Sequence, residues 1–322
     1  MKLNYLSFVK EINNFNFFEK KAKIAVGVSG GVDSISLLFL LSLWAKIKKF
    51  EIIAIIIDHK LRAESSNEAK NISLYLSKNK INNIVLVWNN NNPKTRIQEN
   101  ARIARLNIIE KYCFKNNIIH LFFGHHLDDD IETYVIRKIS GSDIEGLNSI
   151  KPVNQYKNIL IHRPLLKFKK NEIIQFAKKN NLESIDDPSN YKMFFSRSKV
   201  RFILKNNNKI KNNLIKELNV YKEVNSKYIE MINLVLAELI IFANYNIIVF
   251  NREIFINLPI EIAYRVLIRS VSFINSGNKK FKYHKLMAIC KGLLGEISVF
   301  QTQKTLFVPS ETEIKIFLTK YA

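Results

Sequence analysis

Residues 27–34 read GVSGGVDS, with KIAV (23–26) before them and ISLLFLLSLWAKI (35–47) after them. A short apolar strand therefore runs into a polar loop and then a helix. Two chemistries overlap in such a loop. G-x-S-x-G is the nucleophile elbow of α/β-hydrolases, in which Ser29 would carry an acyl group. A Gly-rich turn at a helix N-terminus is also an anion site, where backbone N–H groups hold phosphate. Only one short strand precedes Ser29, so the upstream strand and loop that complete an oxyanion hole are missing, and the elbow is disfavoured. Gly30 and Gly31 lack Cβ atoms and can take positive φ. Ser29 and Ser34 add hydroxyl donors, and the helix starting at Val32 turns its positive end to the same spot. No Lys follows the glycines, so this is not a Walker A loop. Asp33 suits an anion site only if a divalent cation rides on the phosphates, and Mg²⁺ takes a carboxylate together with phosphate oxygens. Helix capping by Ser and Asp is the plain alternative for the loop alone.

Outward from the loop, residues 23–124 alternate apolar strands with helices. Helix 32–47 is followed by the strand EIIAIIID (51–58), a helix near 65–79 and IVLVW (84–88). An Asn-rich loop, a helix over about 97–117 and IIHLFFG (118–124) complete the series. Near-continuous apolar strands separated by helices predict an α/β fold with a doubly wound parallel sheet. Ligands of such sheets bind beyond the carboxyl ends of the strands, where SGGVDS, DHKLR and GHHLDDDIET all fall. Beyond about 205 the texture becomes amphipathic and helical: 209–243, then 259–275 and 283–294, then two or three short strands at the end. The expected division is 1–208 for the nucleotide domain with a basic segment, and 209–322 for a smaller, mostly helical domain with a strand-rich end.

The chain has 322 residues and carries 50 Lys and Arg against 28 Asp and Glu, a net charge of +22. Residues 151–216 hold sixteen Lys and Arg against four Asp and Glu, which places +12 of the +22 there. Asn- and Lys-rich runs fit a compositional bias, but bias does not gather charge in one segment. A basic stripe is the footprint of a polyanion. Cys113 and Cys290 stand far apart with no CxxC, against a disulfide scaffold, a structural zinc site or a cysteine-ligated cluster. No run of 18 apolar residues marks a membrane helix, and the N-terminus lacks the pattern of a signal peptide. The expectation is a cytoplasmic protein with no membrane partner.

GHHLDDDIET (124–133) crowds His125, His126, Asp128, Asp129 and Glu132 at a strand end and the first turns of a helix. On a helix starting near 128, Glu132 shares a face with both Asp128 and Asp129. Three packed carboxylates repel unless a cation joins them, either a metal or a substrate ammonium. Capping explains one Asp but not the His pair, and a zinc site would need a closed set of four ligands, usually with Cys. Asp58 and His59 follow the second strand, where the nucleoside end of a ligand would lie. Lys60 fits an ordinary turn. Arg102 and Arg105 share one helix face, and DPSN (187–190) is a turn signature. In FFSRSKVRFILK (194–205), Arg197 and Arg201 lie four apart on one face, and guanidinium groups suit phosphate oxygens.

SGGVDS resembles the SGGxDS loop of the N-type ATP pyrophosphatases, or PP-loop proteins. DHKLRAESSNEA (58–69), ENARIARLN (99–107), GHHLDDDIET, RPLL (163–166) and DDPSNYKMFFSRSKVR (186–201) follow in the order and spacing of the tRNA(Ile)-lysidine synthetases. The motifs span roughly the first two thirds of the chain. The resemblance implies a ligase that uses ATP and Mg²⁺ to join free L-lysine to the wobble cytidine of the isoleucine tRNA with a CAU anticodon, through an adenylated cytidine. It implies ATP contacts at Ser29, Gly30, Gly31, Val32, Asp33, Ser34, Asp58 and His59, with Asp33 also holding the metal. It implies catalytic roles for Asp33, Arg105, His125, Asp129, Glu132 and Arg197, and tRNA contacts at Arg163, Arg197, Lys199 and Arg201. The family pattern near RNRIR stands here as RSKVR, so the Arg pair is kept while Ser198 and Lys199 occupy the middle. Ending at 322, the chain resembles the shorter type with one helical appendage; a homodimer is the assembly entertained.

Overall fold

A computed structural model describes residues 2–15, 18–58, 60, 64–88, 97–142, 144–147, 150–184, 196–275, 283–302 and 304–319, without the side chains of 97–102, 144–145 and 196. It divides into two compact units, Met1–Tyr221 and Lys222–Ala322. The expected domain boundary at 208/209 coincides with the start of a long helix, and the division between the units falls inside that helix.

The first unit opens with α1 (Tyr5–Asn13), β1 (Lys23–Val28), α2 (Val32–Lys48), β2 (Glu51–Asp58), α3 (Ser65–Lys78) and β3 (Asn83–Val87). It continues with α4 (Ile97–Lys115), β4 (His120–Phe122), α5 (Leu127–Ile139), α6 (Ile144–Leu147), β5 (Val153–Tyr156), β6 (Ile159–His162), α7 (Lys170–Lys179) and α8 (Ser196–Asn206). Its sheet has the order β3-β2-β1-β4-β6-β5, parallel except for the β5–β6 hairpin. That hairpin is an addition to the strands expected from sequence, because its two short strands lack a long apolar run.

Both faces of this sheet are buried, which is why its strands read as continuous apolar runs. On β1, Ile24, Val26 and Val28 face one core with Leu37, Leu41 and Trp44 of α2 and Phe8 of α1. Ala25 faces the other core with Ile55, Leu121, Ile161 and, from α4, Ile109 and Cys113. The chain leaves β1 to build β2 and β3 on one side, then returns to build β4 on the other. The β1–β4 gap is therefore the switch point, where a ligand crevice forms at the strand ends. A third cluster packs Ile131 and Tyr134 of α5 on Val200 and Leu204 of α8, and on Leu218 of the helix α9 (Asn208–Leu239). This cluster sets the basic helix α8 beside α5.

The second unit carries β7 (Ile240–Ala243), β8 (Ile247–Asn251), α10 (Arg252–Ile256), α11 (Ile260–Ile274), α12 (Tyr283–Gly295), β9 (Phe300–Gln301), β10 (Thr305–Pro309) and β11 (Glu313–Leu318). Its antiparallel sheet runs β7-β8-β11-β10-β9. Helix 209–243 of the sequence reading therefore ends at Leu239, and IIFA (240–243) becomes a strand paired with β8. The β-branched pair at 240–241 favours that extended state once β8 offers a partner. Cys290 is buried in this unit's core. Among the described residues, no helix is long and apolar enough to cross a membrane.

Candidate active site

The loop from Ser29 to Gly31 leaves β1 at the switch point and enters α2. Gly30 has φ +82°, a conformation that favours glycine. Gly31 is extended at φ −68°, and an added Cβ would meet only Ser29 Oγ at 3.7 Å. The expected freedom is thus used at Gly30 and not at Gly31. Ser34 Oγ ties the loop together, accepting from Ser29 N at 3.2 Å and donating to Gly31 O at 2.9 Å. No side chain caps α2, so first-turn N–H groups of a helix without a cap are available to an anion. Gly124 closes the crevice from β4: a Cβ there would stand 3.0 Å from Asp33 C and O and 3.2 Å from Ser34 N. A cavity of 410 Å³ opens beside Gly30, with Ile35, Ile72 and Tyr75 as apolar wall and Asn71 and Glu183 as polar edge.

Asp58 ends β2, 4% exposed. Its carboxylate accepts from Ser66 Oγ at 2.6 Å, Ser65 Oγ at 2.9 Å and Lys60 N at 3.0 Å. Burial alone would raise this carboxyl; the bonds from Ser66, Lys60 and Ser65 outweigh it and hold it below its usual range. Its three donors come from the chain itself, so Asp58 ties the strand end to α3. His59 lies outside the described residues. Arg105 sits on the exposed side of α4; the side chain of Arg102 lies outside the described residues.

His126, the neighbour of the expected His125, is the histidine that faces the loop. It is buried, caps α5 and forms a capping box with Asp129. Its Nδ1 accepts from Asp129 N at 3.4 Å, which places the ring proton on Nε2. Nε2 lies 3.7 Å from Asp33 Oδ2 and 3.5 Å from Asp129 Oδ2. Asp33 and Asp129 thus meet across one imidazole. His125 instead sets its ring edge-on to Phe123.

The carboxylates of α5 are joined by cations of the protein itself. Asp128 pairs with Lys211 Nζ and accepts from Lys170 N at 2.8 Å. Burial pushes its carboxyl up, and Lys211 and the Lys170 amide pull it further down, to a net value below the usual range. For Asp129, burial is likewise outweighed by His126, His125 and Arg197, and the carboxyl is held low. Glu132 is 2% exposed. It receives Arg201 Nε at 2.7 Å and Arg201 Nη2 at 3.0 Å, and Arg197 Nε at 3.1 Å. Glu132 is saturated and positions the two arginines, whose outer faces remain open at 43% exposure. Lys199 on the same helix is exposed.

Arg163, expected to contact tRNA, is held by the protein itself. It is 7% exposed, and its Nη1 donates to Lys151 O at 2.9 Å and Asn154 Oδ1 at 2.6 Å. It braces the β5–β6 hairpin, because the turn after β6 points it inward. Lys170, the first residue of α7, is the residue that sequence reasoning missed. Its Nζ reaches Asp33 Oδ1 at 2.7 Å and Oδ2 at 2.6 Å. Among the described residues, no three His, Cys, Asp or Glu side chains converge on a metal position. A Mg²⁺ ion would therefore fit at Asp33 only with oxygens of a bound nucleotide, the manner in which Mg²⁺ commonly binds.

Residues 4–207 match the model of the PP-loop domain. The chain is 30% identical over 312 residues to a tRNA(Ile)-lysidine synthase of Orientia tsutsugamushi, covering 94% of this chain and 70% of that one. It is 34% identical over 294 residues to that of Wolbachia pipientis, covering 90% and 68%. Among solved structures, a U34-tRNA thiolase of Methanococcus maripaludis superposes with a TM-score of 0.58 at 19% identity, over 68% of this chain and 77% of that one, which is a likeness of fold. With the loop, the switch point and the α5 cluster in place, the chain belongs to the tRNA(Ile)-lysidine synthase family, built on a PP-loop domain.

Proposed function

We propose that the chain is the ligase that converts the wobble cytidine of the CAU-anticodon isoleucine tRNA to lysidine, with ATP and free L-lysine as co-substrates. The observation that carries this reading is the meeting of Asp33 and Asp129 across His126. One carboxylate belongs to the phosphate loop and the other to the expected lysine side, so both half-reactions share one crevice.

In the first step the cytosine 2-oxygen attacks the α-phosphorus of ATP, the bond to the bridging oxygen breaks, and pyrophosphate leaves. The uncapped first-turn amides of α2 and the Ser29 hydroxyl take the phosphates, while Ser34 braces the loop through Ser29 N and Gly31 O, and positioning with charge stabilisation is most of phosphoryl-type catalysis. Mg²⁺, when bound at Asp33, supplies charge neutralisation on the phosphates. The cavity beside Gly30 has the apolar wall and polar edge of a nucleoside pocket. In the second step the side-chain amine of lysine attacks the activated carbon, the carbon–oxygen bond breaks, and AMP leaves as the amine loses its protons. An amine with a pKa of about 10.4 arrives as an ammonium. Asp129, held ionised, binds it, and His125, close enough to act on the Asp129 carboxylate, takes up a proton. Glu132, locked by two arginines, is assigned to holding α8 rather than to lysine. Exposed faces of Arg197, Lys199 and Arg201 meet the tRNA backbone. A base in a loop can be splayed into such a site.

Thiolation on the same fold gains no support from this chain. Its two cysteines are both buried, and burial pushes each thiol up to about 12. The first half-reaction tests the proposal directly. With ATP, Mg²⁺ and CAU-anticodon tRNA but no lysine, the protein should release pyrophosphate and leave AMP on the tRNA. Asp33→Ala should abolish both. Equal pyrophosphate release with a tRNA whose anticodon lacks the wobble cytidine would sink the reading.

A further inference from the structure

The SGGVDS loop carries no lysine, yet the fold delivers one to it from α7. We propose that Lys170 is the phosphate-binding lysine of this site: it holds Asp33 while no nucleotide is bound, and transfers to the β- and γ-phosphates of ATP and then to the departing pyrophosphate. The inference rests on the adenylation reading above and adds a catalytic residue to it.

The geometry is specific. Lys170 Nζ touches both carboxylate oxygens of Asp33, at 2.7 and 2.6 Å. Asp33 lies in the first turn of α2, directly after the anion loop. The Lys170 backbone is fixed, because its N–H donates to Asp128 and it opens α7. Its four-carbon stem is the part that moves. The pair is also partly open, with the side chains of Lys170 and Asp33 35% and 26% exposed.

The other cations of the cluster are committed elsewhere. Lys211 is on Asp128, and the forks of Arg197 and Arg201 are on Glu132. A guanidinium fork suits a fixed planar partner, whereas an ammonium is a point charge with three donors on a flexible stem. Two of those donors face Asp33, so a third is left for an arriving oxygen. A triphosphate brings several negative charges where Asp33 offers one. The ammonium therefore follows the phosphates, and Asp33 is freed for its own role. After bond cleavage the same charge rests on the leaving pyrophosphate.

Calorimetric binding of ATP, pyrophosphate and AMP, each with Mg²⁺, tests this on the whole chain and on Lys170→Met, Lys170→Gln and Lys170→Arg. Loss of one charge-assisted contact predicts Kd values for ATP and pyrophosphate raised about 10- to 100-fold in Met and Gln, with AMP changed by less than about twofold. Lys170→Arg should recover most of the affinity. Unchanged pyrophosphate affinity in the Met and Gln variants overturns the assignment, as does an equal fall for AMP, which would mark a structural brace. A second measurement needs no variant. Acetylation of the Lys170 amine, followed by mass spectrometry, should be slowed by pyrophosphate and not by AMP; equal rates would also overturn the assignment. Wild-type ATP binding reports separately on adenylation, and a wild type that binds neither ATP nor pyrophosphate overturns both readings.

Discussion

The arginine clamp on Glu132 can be measured as a coupling energy between Glu132 and Arg201. Arg201 makes two charge-assisted bonds to the carboxylate, at 2.7 and 3.0 Å. The Glu132 side chain is 3% exposed and that of Arg201 43%. A surface pair couples by about 0–1 kcal/mol, and breaking a fully buried one costs about 3–5 kcal/mol. Here the guanidinium can rehydrate in part when its partner is removed, and Arg197 still serves Oε2 when Arg201 is removed. The expected coupling is therefore intermediate, about 1.5–3 kcal/mol. A double-mutant cycle of Glu132→Ala, Arg201→Ala and the pair measures it in urea. Both tryptophans, Trp44 and Trp88, lie in the first unit, so their fluorescence follows that unit alone. A coupling below about 0.5 kcal/mol would refute the clamp. The resemblance gave Glu132 a catalytic part instead, and that alternative predicts Glu132→Gln with full stability and lost lysine transfer.

Gly124→Ala should raise the Kd for ATP, because the new methyl presses on the Asp33 and Ser34 backbone, while Gly31→Ala, with open space, should bind ATP nearly as the wild type does; the reverse order of effects would show that the loop geometry is misread. Asp58→Ala strands the donors of Ser65, Ser66 and Lys60 and should cost about 2–4 kcal/mol in the same urea assay; a loss below about 1 kcal/mol would show that the three bonds do not hold the strand end. Asp58, Asp128 and Asp129 are held below the usual carboxylate range. Their contribution is present at neutral pH and is lost as pH falls below about 4 and through the depressed folded values. Stability of the first unit, followed by tryptophan fluorescence from pH 7 downward, should fall there, and more steeply than in Asp128→Asn; identical profiles would remove Asp128 from the account.

Much of this architecture is legible in the residues. EIIAIIID announces a strand covered on both faces, and its position before DHKLR places a polar loop at the sheet's carboxyl edge. SGGVDS specifies strand, tight turn and helix within eight residues. Legibility fails where a side chain's partner is remote in sequence. Lys170 meets Asp33 across 137 positions, and nothing in KFKKNEII distinguishes it from the solvated lysines beside it. His125 and His126 are adjacent, and only the cap geometry of α5 turns the second one to the loop. Arg163 sits among basic residues and reads as a surface charge, but the β5–β6 hairpin buries it. The strand at 240–243 continues an amphipathic helical pattern, and only pairing with β8 overrides it. Asp128, Asp129 and Glu132 of α5 raised the question of a joining cation, and the answer lay in Lys211, Arg197 and Arg201.

The central claim is that one crevice carries both half-reactions on one base. Its most direct test is transfer of labelled lysine to CAU-anticodon isoleucine tRNA by the purified protein, with ATP and Mg²⁺. The account predicts ATP-dependent label on the wobble cytidine, AMP released in step with it, and no transfer with Asp33→Ala or Asp129→Ala. A folded wild-type protein that releases pyrophosphate on this tRNA but attaches no lysine would contradict it.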